Sequence, residues 1–127
     1  MGGITYDTTV LIAAERGDRQ MWSRHQGLLR LGAIPVVPAP VLAQAWRGGS
    51  RQALLARLLA GCDIEAMTEE SARAVGRLLG AAVHDDVVDA AVVESAARRT
   101  DSIVTSDLGH IKRLVTACRQ NLVIEVV

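Results

Sequence analysis

Phenylalanine is absent from this sequence, and two tryptophans and one tyrosine are its only aromatic residues. Half of the residues are apolar, so a core must be assembled from Val, Leu, Ile and Ala. That composition suits buried strands and helices better than a β-sandwich. Long apolar runs are also missing, and none approaches the roughly 20 residues that a membrane-spanning helix needs. The opening MGGITYDTTVLIAAERGD has neither the charged start nor the long apolar centre of a secretion signal, and Asp7 interrupts it. A cytoplasmic location is expected. Cysteine is scarce: Cys62 and Cys118 are expected to be reduced and buried rather than bridged or bound to metal. An excess of one charge is missing too, with 14 Lys and Arg against 14 Asp and Glu. Bulk charge therefore leaves no nucleic-acid footprint, and any such binding must come from a local patch. Lys112 is the only lysine.

What is present is an alternation. At 127 residues the chain reads as one domain, 1–127. Short apolar runs at Ile4–Tyr6, Ile34–Val37, Cys62–Ala66, Ser102–Thr105 and Leu122–Val126 read as strands. Helical patterns separate them, at about Thr8–Glu15, Arg19–Arg30, Val41–Arg47, Arg51–Ala60, Thr68–Leu79, Asp86–Arg99 and Ile111–Cys118. Asp18 and Ser50 are expected to cap helices, and Gly32 and Gly80 to end them. Strands alternating with helices predict an α/β fold with a parallel sheet covered on both faces. In such sheets, sites form beyond the carboxyl ends of the strands, where strand order reverses.

Four acids meet that rule. Asp7 directly follows the first strand and Asp107 the fourth. Asp86 opens the helix before the fourth strand, and Asp89, three residues on, shares its face. If the first and fourth strands are neighbours, all four carboxylates converge. Packed carboxylates repel, and a cation must join them or some must protonate. Hard oxygen donors select Mg2+ or Mn2+, which suits hydrolysis of a phosphodiester. Each acid also has a simpler reading. Asp107 and Asp86 can be helix caps and Asp89 a solvated surface group. An acid between a buried strand and Val10-Leu11-Ile12 is harder to explain that way.

An early Asp followed by hydroxyl residues in YDTTVLIA, the helix DVVDAAVV, and a strand ending VTSD, in that order and spacing, resemble a PIN-domain ribonuclease. They are most similar to the VapC-type toxins of bacterial toxin–antitoxin modules. The resemblance implies a three-layer α/β/α fold with a five-stranded parallel sheet of order 3-2-1-4-5. It implies RNA cleavage with Mg2+ or Mn2+ held by Asp7, Asp86 and Asp107, with Asp89 auxiliary. Thr8, Thr105 and Ser106 would lie near the cluster. A homodimer and a small antitoxin protein that blocks the site are implied as well. The sequence departs from the family at Gln44, near a place where a Glu is usual. Gln brings an oxygen but no charge, which leaves a weakened RNA- or antitoxin-binding module as the alternative.

Arg47 and Arg51 are the candidates for contact with RNA, with Arg57 beside them and Arg16 and Arg19 on another side. Such cations are needed because the acids repel phosphate. His84 and His110 flank the acid-bearing elements, but no Cys or His pair has zinc-ligand spacing. Trp46 reads as a packing residue, with base stacking second. A phospho-acceptor domain would need paired acids after the first strand and a Lys after the last; the sequence has neither. A haloacid-dehalogenase-like phosphatase would need an acid at Thr9.

Overall fold

The computed structural model describes residues 2–127. The chain order is β1 (Ile4–Tyr6), α1 (Thr8–Glu15), α2 (Arg19–Arg30), β2 (Val36–Pro38), α3 (Ala39–Ala45), a 3-10 turn (Ser50–Gln52), α4 (Ala53–Ala60), β3 (Asp63–Glu65), α5 (Glu69–Ala82), α6 (Val87–Arg99), β4 (Ser102–Thr105), α7 (Leu108–Ala117) and β5 (Ile124–Val126). The five strands form one parallel sheet of order β3-β2-β1-β4-β5. Strand order therefore reverses at β1, and Tyr6 pairs with Val104 across the β1–β4 junction. The expected α/β architecture and the expected strand order are both found. Among the described residues, no helix is long and apolar enough to cross a membrane.

The core is aliphatic apart from one aromatic residue. Val10, Leu11, Leu55, Leu58, Ile103, Ile111 and Leu114 are fully buried, as is Tyr6. Burying each of the larger side chains stabilises the fold by roughly 1.5–3 kcal/mol. A buried phenol needs a partner, and Tyr6 Oη lies 2.9 Å from His25 Nδ1, with Trp22 edge-on to the same imidazole. Helix α1 packs on α2, α3 and α4, while α5, α6 and α7 pack on one another. At the amino-terminal edge of the sheet, buried Asp101 accepts from Gly3 N, Thr5 Oγ1 and Arg99 Nε at 2.7, 2.8 and 3.1 Å.

Several boundaries differ from the sequence reading. Ser50 caps nothing. The turn after α3 is closed instead by buried Gln52, whose Oε1 accepts from Arg47 N and Gly48 N at 2.8 and 2.9 Å. Gly48 and Gly49 both take positive φ there, a conformation that costs glycine little. Gly80 lies inside α5, which continues to Ala82 and ends on Val83 in a left-handed conformation. Helix α7 starts at Leu108, before the expected Ile111. Cys62 and Cys118 are free but only half-buried. Trp46 is 41% exposed at the end of α3, so it is not a core residue.

Candidate active site

The site is built on the ends of β1 and β4. Tyr6 is drawn into the core, so the next residue, Asp7, emerges at the sheet's carboxyl edge while remaining 2% exposed. Asp7 caps α1: Oδ1 accepts from Thr9 N at 2.9 Å and also from Thr9 Oγ1. Oδ2 accepts from the buried Thr105 hydroxyl at the end of β4. Thr105 Oγ1 in turn accepts from Asp107 N at 2.9 Å, and Thr9 Oγ1 accepts from Ser106 N at 2.8 Å. The turns after β1 and β4 are thus laced together through two threonine hydroxyls.

Asp86 caps α6, its Oδ1 accepting from Asp89 N at 3.0 Å. Asp107 stands at the start of α7 but makes no side-chain capping bond. Its Oδ2 lies 3.2 Å from His110 Nδ1, and Asp89 Oδ2 is 3.9 Å from the same nitrogen. The cap reading therefore holds for Asp86 and fails for Asp107, and Asp7, for which no cap was expected, is one. Asp7, Asp86, Asp89 and Asp107 all line one cleft of about 460 Å³, with Thr8, Thr9, Glu15, Gln44, Arg47 and Gln52 around it. Among the described residues, no Lys or Arg forms an ion pair with any of these four acids.

The electrostatics follow from that arrangement. Burial raises the pKa of Asp7 above the usual carboxylate value, against the pull of hydrogen bonds from Thr105 and Thr9. Burial, then the charges of Asp86, Asp107 and Asp7, push Asp89 up to about 6. The carboxylates converge on one cleft without closing on a single point. Among the described residues, the group of at least three Asp, Glu, His or Cys ligand atoms within 4.8 Å of one another is His84, Asp89 and His110. Uncompensated like charges keep apart, and the donor set is the hard oxygen type that fits Mg2+ or Mn2+.

A larger cleft of about 850 Å³ lies over α5, α6 and α7. Two of its three acids are already paired: Glu94 with Arg98, and Glu65 with Arg98 and Arg99. Arg98 holds the Glu65 carboxyl below its ordinary pKa. The smaller cleft, with four acids that pair with no Lys or Arg among the described residues, is the better candidate for chemistry.

The other expected residues divide. Gln44 lines the acid cleft and accepts from Thr8 Oγ1 at 2.5 Å. Arg47 lines it as well, whereas Arg51 does not. Ser106 is exposed and takes part through its backbone amide only. Glu15 was missed by sequence reasoning: it lines the cleft and accepts from Gln52 Nε2 at 2.6 Å. Its position at the C-terminal end of α1, two turns beyond Asp7, was the available signal. Sequence spacing did not show that the fold brings His84 and His110 together, from the α5–α6 loop and α7.

No protein-family model matches the chain, and no curated protein matches it. Solved structures do. A chain of VapBC2 from Rickettsia felis, crystallised bound to a DNA fragment from its promoter, superposes with a TM-score of 0.75 at 16% identity, covering 98% of this chain and 98% of that one. A toxin–antitoxin complex from Klebsiella pneumoniae gives 0.67 at 16% identity over 85% and 89%. PAE2754 from Pyrobaculum aerophilum gives 0.66 at 13% identity over 98% and 84%. At these identities the likeness is one of fold. The fold is PIN-like, as the motifs predicted.

Proposed function

We propose that this chain is a metal-dependent endoribonuclease and the toxin of a toxin–antitoxin pair. One observation carries the reading: Asp7, Asp86, Asp89 and Asp107 line one cleft at the β1–β4 switch point, and among the described residues no Lys or Arg pairs with them. Asp7, Asp86 and Asp107 would hold Mg2+ or Mn2+, with Asp89 beside them. When bound, such an ion supplies Lewis acidity toward a phosphoryl oxygen and toward water. Thr105 and Thr9 fix the Asp7 carboxylate through hydrogen bonds. Arg47 faces the same cleft and supplies the cation that an RNA phosphate needs beside acids. The toxin–antitoxin complexes among the similar folds support a small antitoxin protein as partner. A homodimer is part of the same proposal.

The test is cleavage of a mixed RNA pool by the purified chain in Mn2+. The reading expects fragments from the parent, none in EDTA, and none from Asp7→Asn. The second reading, a binding module that cuts nothing, draws on Gln44, which faces the cleft without charge. RNA bound but left intact by the metal-loaded parent favours it.

A further inference from the structure

We propose that His84, Asp89 and His110 form a second cation site, selective for borderline transition ions such as Co2+, Ni2+ or Zn2+ over Mg2+. One ligand atom from each lies within 4.8 Å of the others, close enough to share one ion. The residues come from three places: His84 from the α5–α6 loop, Asp89 from the first turn of α6, and His110 from the first turn of α7. The two imidazole rings stand edge to face with centroids 5.6 Å apart.

The donor chemistry separates this site from the acid cleft. Two imidazole nitrogens and one carboxylate oxygen suit borderline ions, whereas Mg2+ prefers oxygen alone. On His110 it is Nδ1 that faces both carboxylates, Asp107 Oδ2 at 3.2 Å and Asp89 Oδ2 at 3.9 Å, so an ion held between His110 and Asp89 takes over the nitrogen that now meets Asp107. His84 is engaged as well. Its Nδ1 accepts from Asp86 N at 3.1 Å. Coordination through Nδ1 displaces that bond, and coordination through Nε2 moves the ring proton to face the amide. Either route costs this one hydrogen bond, so the ion completes the site rather than finding it finished. The rings border an open hollow of about 660 Å³ that also includes Asp86 and Arg113, so an ion can reach them from solvent. Asp89 faces both groups of ligands and couples this site to the acid cleft.

The experiment is Co2+ titration of the metal-free chain, read by calorimetry and by visible absorption, beside His84→Ala, His110→Ala and Asp7→Asn. Circular dichroism checks each fold; His110 is exposed and His84 half-buried, and His84→Gln and His110→Gln stand in for any alanine variant that does not fold. The proposal expects Co2+ binding in the parent and a loss of about tenfold or more in each histidine variant. It expects Asp7→Asn to retain that binding, and the Co2+ loss in the histidine variants to exceed any change in their Mg2+ affinity. Histidine variants that bind Co2+ as the parent does would overturn it, as would a parent that binds none. Co2+ binding lost only in Asp7→Asn would overturn it too, by assigning every ion to the acids. Because Asp7 is not one of the three ligands, RNA cleavage could fail while this site stands.

Discussion

Thr105 donates its hydroxyl hydrogen to Asp7 Oδ2, and its own Oγ1 accepts the amide hydrogen of Asp107 from 2.9 Å away. One buried side chain thus sets the positions of two acids that are 100 residues apart in sequence. Thr105→Val keeps the shape of the side chain and removes both bonds. A hydrogen bond to a charged group is worth about 1.5–3 kcal/mol, and urea denaturation at pH 7 should show a loss of that order. The Asp7 pKa should rise further, since a bond that lowers it is gone. Unchanged stability would show that the hydroxyl holds neither acid.

Asp7 carries its charge at a cost to the fold. Burial raises its folded pKa above the unfolded value. The stability it contributes is therefore fully present below the unfolded pKa, and is lost as pH rises through the folded one. At pH 7 without metal, Asp7→Asn should match or exceed the parent in thermal stability while losing metal affinity. A large drop in Tm for Asp7→Asn would mean that the carboxylate is structural.

Asp89, at about 6, sets a pH dependence for metal binding. Ionised Asp89 falls about tenfold from pH 7 to pH 5. The apparent Mn2+ affinity should weaken by a similar factor over that range, with protons released on binding. Asp89→Asn should flatten the profile. A profile that is equally steep without Asp89 would assign the titration to another group.

Gln44 accepts from Thr8 Oγ1 at the cleft wall. Gln44→Glu adds a charged oxygen at the same position, and Mn2+ affinity measured by calorimetry should rise severalfold. Affinity that stayed the same or fell would place residue 44 outside the ion's reach.

Much of this was readable from the sequence, for identifiable reasons. The strand–helix alternation and its apolar runs are strong local signals, and they yielded the parallel sheet. Asp7, Asp86 and Asp107 were legible because each sits at a junction between elements. What escaped was tertiary. No side chain caps α4 where Ser50 was expected to, and Gln52 closes the preceding turn because its amide reaches back to Arg47 and Gly48 from a buried position. The left-handed turn at Val83 was hidden, because a β-branched residue is the last expected there. The pairing of His84 with His110 depends on how α5 and α7 pack, which no spacing records. Asp107 looked like a cap, yet its carboxylate turns to His110 instead.

The central claim is that these acids hold a catalytic cation, and metal binding tests it without a guess about the RNA. Mn2+ is titrated by calorimetry into the purified chain and into Asp107→Asn, with both shown to be folded. The account predicts binding in the parent that weakens about tenfold or more in the variant, about 1.4 kcal/mol. Equal Mn2+ affinity in the two proteins, or no binding in the parent, would contradict it.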